Sequence, residues 1–281
     1  MDQLMTPDPD KEINVDLLAA LLRSLRLWRM AEELPSILEE AAREGWGHQE
    51  FLYKVLRSEE VRRGHNRFQR NLKASGLSTV YGLDHFDFEL AAEHGLKAAV
   101  VRDLAQCEFL RARRNIILAG GVGTGKTYLA RTIGLEALKR GFKVFSFNTS
   151  HLVDVIFSRR NSFQFGKFYG SIRDVDLLVL DDLAYLPYSP EKVEYLFSLV
   201  VDRHELKTGS LIVTSNTDVT EWWQFFPSKS MGMAFSDRVL DGAQGIRLTG
   251  ESIRKPRGKP KGKKPAEDEE PHEEGSKKPE P

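Results

Sequence analysis

Gly120-Gly121-Val122-Gly123-Thr124-Gly125-Lys126-Thr127 follows directly on a short apolar run, Asn115-Ile116-Ile117-Leu118-Ala119. A glycine, four residues, then Gly-Lys-Thr is the phosphate-cradling loop between a strand and a helix. Its backbone N–H groups wrap phosphate oxygens, and the helix opening at Lys126 adds the positive end of its dipole. Lys126 reaches the β- and γ-phosphates, and the Thr127 hydroxyl ligates Mg²⁺. With Gly120 to Thr127, Tyr128 completes the expected nucleotide-binding set. ATP and Mg²⁺ are the expected cofactors.

Two further strand ends belong with the loop. Leu177-Leu178-Val179-Leu180-Asp181-Asp182 is an apolar strand ending in two carboxylates, and ligands of open α/β sheets bind at such C-terminal ends. Asp181 suits Mg²⁺; Asp182 suits a base for the attacking water. Val213-Thr214-Ser215-Asn216 ends a third strand, where Asn216 either fixes that water or caps the next turn. A strand at Lys143 to Phe147 intervenes between the loop strand and the Asp181 strand. That arrangement favours a hydrolase with a separate water-activating carboxylate over a metabolite kinase. Helices at Lys126 to Arg140, closed by Gly141, and at Glu191 to Leu206, with strands at Ser210 to Thr214 and Gly245 to Leu248, predict a mainly parallel sheet covered on both faces.

The chain of 281 residues has room for a core domain and an accessory one. We expect a helical N-terminal domain over 1–75, a linker over 76–90, the ATPase domain over 91–254 and a disordered charged tail over 255–281. Apolar residues at helical spacing mark Val15-Leu18-Leu22-Leu25 and Phe51-Leu52-Val55-Leu56, punctuated by Pro35 and Gly45-Trp46-Gly47. A helix over Val61 to Lys73 carries Arg62, Arg63, Arg67, Arg70 and Lys73. It has two open readings: contact with a phosphate backbone, or a solvated face paired with Glu59 and Glu60. The tail holds half of the twelve prolines and a basic block followed by an acidic one. Such composition cannot bury a core, and its basic block either touches nucleic acid or is simply solvated. Lys plus Arg equals Asp plus Glu at 41 each, so net charge selects no partner. One cysteine, Cys107, excludes an internal disulfide and points to a reducing cytoplasm and a packing role. The histidines lack metal-ligand spacing, so no zinc site is expected. No apolar run approaches the ~20 residues of a membrane span, so no membrane partner is expected.

Taken together these residues resemble the IstB-like ATP-binding proteins, helper ATPases of insertion-sequence transposition related to the DnaC helicase loaders within the AAA+ class. Leu25-Arg26-Leu27-Trp28-Arg29-Met30-Ala31 is similar to the family's opening helix, and Phe86-Asp87-Phe88 to its entry into the ATPase domain. Asp181 to Pro187, Thr214-Ser215-Asn216, Ser236-Asp237-Arg238 and Gly250-Glu251-Ser252-Ile253-Arg254 resemble its later motifs. The resemblance implies an AAA+ fold with a parallel five-stranded sheet flanked by helices. It implies a homo-oligomer that assembles on duplex DNA and recruits or activates a transposase. Arg238 matches the arginine that reaches a neighbour's nucleotide, the alternative being a salt bridge with Asp237 or Glu251; Arg254 matches a second sensor. Asp182 departs from the Glu of many relatives, which implies slow turnover. Two other functions stay open at this point: a replicative helicase loader, and an ATP-binding DNA scaffold without turnover.

Overall fold

A computed structural model describes residues 13–77, 82–183 and 189–253. Arg254, the 255–281 tail and Ala184 to Pro187 lie outside the described residues. Three helices come first: α1 (Val15–Ser24), α2 (Trp28–Glu44) and α3 (His48–Ser75). The Asn14 side chain caps α1 by accepting from the Leu17 N–H at 2.8 Å. The stretch expected as one opening helix, Leu25 to Ala31, is instead a junction. Leu25 caps α1, Arg26 takes a left-handed conformation at φ 60°, and α2 starts at Trp28; a residue in that region ends a helix much as a glycine would. Pro35, expected as punctuation, lies inside α2. Met30, Ala31 and Leu34 are buried just before it, so packing holds the helix through the missing N–H. Gly45 does end α2, in the left-handed conformation.

The two expected helical segments around Phe51 and around Val61 to Lys73 are one continuous α3. Glu59, 3 % exposed, accepts from Arg62 at 2.7 Å and Arg63 at 2.8 Å across its turn. It also receives the Arg29 backbone N–H at 3.2 Å, which ties α3 to α2. The second half of α3 packs on the nucleotide-binding part through Phe68 and Leu72.

A short 3-10 turn (Leu83–His85), α4 (Phe88–Glu93), α5 (Ala98–Ala105) and α6 (Glu108–Arg111) lead into β1 (Ile116–Gly120). Then come α7 (Lys126–Lys139), β2 (Val144–Asn148), α8 (Thr149–Arg159), α9 (Phe165–Arg173), β3 (Leu177–Asp181), α10 (Pro190–Leu206), β4 (Ser210–Ser215), a 3-10 segment (Val219–Phe225), α11 (Lys229–Leu240) and β5 (Gln244–Leu248). The five strands are all parallel in the order β2-β3-β4-β1-β5. In sequence the strand between β1 and β3 is β2, as expected. In the sheet it is β4 that separates them, and β2 lies at the edge. Every residue of β3 and β4 is buried, as a central parallel strand covered by helices on both faces requires. One core cluster lies under α5 and α7, the other under α8, α10 and α11. Cys107 is 1 % exposed within the first, and burial pushes its thiol up to about 11.

Parallel pairing brings the C-terminal ends of β1, β3 and β4 to one edge, with Ala119 opposite Ser215 and Leu180 opposite Val213. We call this the exit edge, and the edge where the strands begin the entry edge.

Candidate functional site

Three exit-edge segments meet. The loop after β1 is shaped by close contacts that only glycine permits. A Cβ on Gly120 would lie 2.2 Å from the Leu248 carbonyl of β5, and one on Gly123, at φ 79°, would lie 2.0 Å from Ser252 Oγ. Lys126 is 5 % exposed and folds back so that Nζ donates to the carbonyls of Gly120 at 2.9 Å and Gly121 at 2.6 Å. Gly125 caps α7 with no side-chain hydrogen bond. The first N–H groups of this helix are thus not occupied by a capping side chain, which suits an anion.

Asp181 closes β3 and is 3 % exposed. Its Oδ1 accepts from Thr127 Oγ1 at 2.8 Å and Thr214 Oγ1 at 2.6 Å; its Oδ2 is 3.6 Å from Arg131 Nη2. Thr214 also accepts from the Asp182 N–H at 2.9 Å. Asp182 takes φ 57°, a conformation that Asp tolerates better than most residues, and there the chain turns out of the strand. One threonine hydroxyl therefore ties the Asp181 carboxylate to the Asp182 backbone. Thr127 and Asp181 present two hard oxygen groups side by side, which fits a Mg²⁺ ion held beside phosphate.

Asn216 follows β4, half-buried. The capping role weighed for it falls to Asp218, whose side chain accepts from the Thr220 N–H. Tyr128 stacks on Phe86 with ring centroids 5.6 Å apart. The two line a cavity of about 60 Å³ with Leu90, His94, Leu248 and Ile253. His94 joins its Nδ1 to the Thr249 carbonyl at 2.7 Å, and the Ile253 N–H donates to the Gly123 carbonyl at 2.9 Å. The segment after β5 thus lies across the loop.

Arg238 is not in this group. It lines an entry-edge cleft with Asn115, Gly209 and Leu211, the first residues around β1 and β4. Strands of five residues at ~3.3 Å per residue place it roughly 17 Å or more from its own loop. Neither Asp237 nor Glu251 pairs with it among the described residues; its Nη1 donates to the Ala234 carbonyl at 2.9 Å. Of the basic residues on α3, Arg62 and Arg63 are held by Glu59, whereas Arg67, Arg70 and Lys73 are exposed.

Sequence reasoning missed Thr214 as the bridge, Arg131 beside Asp181, and His94. Arg131 had a readable signal: it lies one helical turn after Thr127, on the same face. No three His, Cys, Asp or Glu side chains form a metal-holding group among the described residues, and no described helix is long and apolar enough to cross a membrane.

Comparison with known proteins identifies the family. The family model for the IstB-like ATP binding protein matches residues 20–260. An insertion-sequence ATP-binding protein of Sinorhizobium fredii is 33 % identical over 238 residues, covering 85 % of this chain and 79 % of that protein. The corresponding protein of an insertion sequence from Pseudomonas aeruginosa is 30 % identical, covering 84 % of this chain and 88 % of that one. The crystal structure of the DnaC helicase loader superposes with a TM-score of 0.49 at 17 % identity, covering 64 % of this chain and 98 % of that one. The chain, with its P-loop on an all-parallel five-stranded sheet, belongs to the IstB-like ATP-binding protein family.

Proposed function

We propose that this chain is an ATP-hydrolysing helper of DNA transposition. ATP-bound copies assemble on duplex DNA and recruit or activate a transposase, and hydrolysis resets the assembly. The observation that carries the reading is the division of the site between the two edges of the sheet. Lys126, Thr127, Asp181 and Asp182 gather at the exit edge, while Arg238 stands at the entry edge, out of reach of its own loop. An arginine so placed serves a nucleotide held by the next copy, and head-to-tail contacts of this kind build rings or open filaments.

Each residue then has a task. Gly120 to Thr127 hold the phosphates, with Lys126 on the β- and γ-phosphates and Tyr128 on the base side. Thr127 and Asp181 hold Mg²⁺, which when bound neutralises charge on the phosphate oxygens. Asp182 orients the attacking water and takes its proton; Asn216 fixes the same water. Arg238 of one copy stabilises the charge on the transferred phosphoryl group of another. In this reading 91–254 is the motor and 76–90 the joint. The 1–75 helices meet DNA and the transposase, with Arg67, Arg70 and Lys73 on phosphate. Support for transposition over replication comes from the relatives, whose names place them in insertion sequences.

The test uses the purified full chain, duplex DNA and the transposase encoded beside it. Sedimentation with ATP is expected to show assembly on DNA that then retains the transposase, and phosphate release on addition of DNA. Assembly that neither requires ATP nor retains transposase, but captures a replicative helicase, would replace this reading with that of a loader. ATP-dependent assembly without phosphate release would make the chain a scaffold.

A further inference from the structure

Behind Arg238 the entry edge opens into a cleft of about 410 Å³. Its walls are the turn between α6 and β1, the end of α10 and the end of α11. They bring Arg113, Arg114, Lys207 and Arg238 to one opening. The first three are exposed and make no ion pair among the described residues. The lone acid at the opening, Asp241, is taken up by His204 Nε2 at 3.0 Å.

The floor carries a further cation. Arg203 is 2 % exposed and donates through Nη1 and Nη2 to the carbonyls of Ile172 at 3.1 Å, Val175 at 3.0 Å and Ser210 at 3.0 Å. Its Nε is buried with no hydrogen-bond partner. Carbonyls satisfy donors without cancelling the charge, and although Asp174 and Asp176 offset part of it, this guanidinium adds to the positive field beneath the cleft. Two of the rim cations also stand where a side chain is disfavoured. Arg113 has φ 53° and Lys207, the C-cap of α10, has φ 49°, a region where glycine or asparagine is the ordinary occupant.

We infer that this entry-edge cleft is a polyphosphate-binding site that receives the nucleotide phosphates presented by a second copy of this chain, with Arg113, Arg114 and Lys207 docking them beside Arg238. The inference rests on the reading of Arg238 as a residue acting across subunits, and adds docking residues to it. Geometry selects this occupant. Head-to-tail stacking sets the entry edge of one copy against the exit edge of the next, where bound ATP, even with its Mg²⁺ and Lys126, adds negative charge to that of Asp181 and Asp182. Duplex DNA spreads its charge at about one per 1.7 Å along a rod and needs a long stripe. The cleft is short and walled on three sides, which suits the compact terminal phosphate that the loop of another copy leaves open.

The experiment measures ATP-dependent self-association of the full chain by sedimentation without DNA, using a non-hydrolysable ATP analogue. Arg114→Ala and Lys207→Ala are each expected to raise the concentration needed for association about tenfold, one charge-assisted contact each. Arg114→Lys and Lys207→Arg are expected to restore most of it. Nucleotide affinity of the dilute subunit reports that each variant is folded. Mixing Lys126→Ala subunits, which keep the cleft, with Arg113→Ala/Arg114→Ala/Lys207→Ala subunits, which keep the loop, is expected to recover about a quarter of normal DNA-stimulated turnover through correctly paired interfaces. Association unchanged in the Arg114 and Lys207 variants, with Arg238→Ala alone defective, would overturn the cleft and leave the trans arginine standing. If Arg238→Ala is equally silent, the underlying reading fails as well. Loss of duplex binding with normal ATP-driven association would make the cleft a nucleic-acid site and overturn the inference.

Discussion

The two edges of the sheet differ in how they treat charge. At the exit edge, groups are held in place. Asp181 is buried and fixed by Thr127 and Thr214, Lys126 is folded onto its own loop, and the Asp182 backbone is anchored by Thr214. At the entry edge, Arg113, Arg114 and Lys207 stand exposed and make no ion pair among the described residues, above the buried Arg203. Like charges gathered without compensation are tolerated where something else supplies the opposite sign. On the proposed reading, one copy of this chain carries two complementary halves at opposite edges of its sheet.

Arg238 carries the most weight at the entry edge. On the proposed reading, Arg238→Ala lowers turnover of the assembled protein by about 10³-fold or more, the range of an arginine supplied in trans. Phosphate release at saturating ATP with duplex DNA measures it, and turnover equal to the unaltered protein would remove Arg238 from the site. The exit edge gives the next largest effect. Lys126→Ala is expected to weaken nucleotide binding ~100-fold, since a hydrogen bond to a charged group is worth about 1.5–3 kcal/mol. Titration with a fluorescent ATP analogue checks this, and unchanged affinity would refute the assignment of the loop.

How much of this was legible depended on how local each signal is. Gly120 to Thr127 is read directly, because the turn, the charge and the helix start are specified by neighbouring residues. Asp181 is equally plain, since an apolar run ending in a carboxylate needs no partner to be noticed. The order of the sheet is not local. β4 enters between β1 and β3 because its two faces match both cores, and nothing within Ser210 to Ser215 announces that. Thr214 reads as an ordinary β-branched strand residue until pairing places it beside Asp181. Arg203 reads as one more helix charge, and only packing reveals it as buried. Arg26 breaks α1 from α2 with no glycine or proline to signal it. The basic helix left two readings open: Arg62 and Arg63 pair with the buried Glu59, while Arg67, Arg70 and Lys73 are exposed.

Thr214 separates binding from turnover at the exit edge. Thr214→Val keeps the shape and removes the hydroxyl that joins Asp181 to the Asp182 N–H. Misplacing a reacting group by even a fraction of an ångström is costly, so turnover is expected to fall ~10-fold or more. Nucleotide affinity, set by the loop, should change far less. A proportionate loss of affinity and turnover would instead make Thr214 part of the binding surface.

The smallest effect comes from a residue remote from both edges, and it tests whether the helical N-terminus is independent of them. Burial alone would raise the Glu59 carboxyl, but hydrogen bonds from Arg62 and Arg63 outweigh it and hold the group at about 2. A folded pKa below the unfolded value of ~4.3 contributes stability that is present above that value and lost as pH falls towards about 2. Glu59→Gln is therefore expected to lower Tm at neutral pH by a few degrees, about what a modest loss costs in a chain of this size. It should also flatten the decline in Tm between pH ~4 and ~2. Nucleotide affinity and DNA-stimulated turnover should stay as they are. If Glu59→Gln changed turnover as strongly as Thr214→Val, the α2–α3 tie would belong to the motor, and the division between two edges would have to include the helices that precede the sheet.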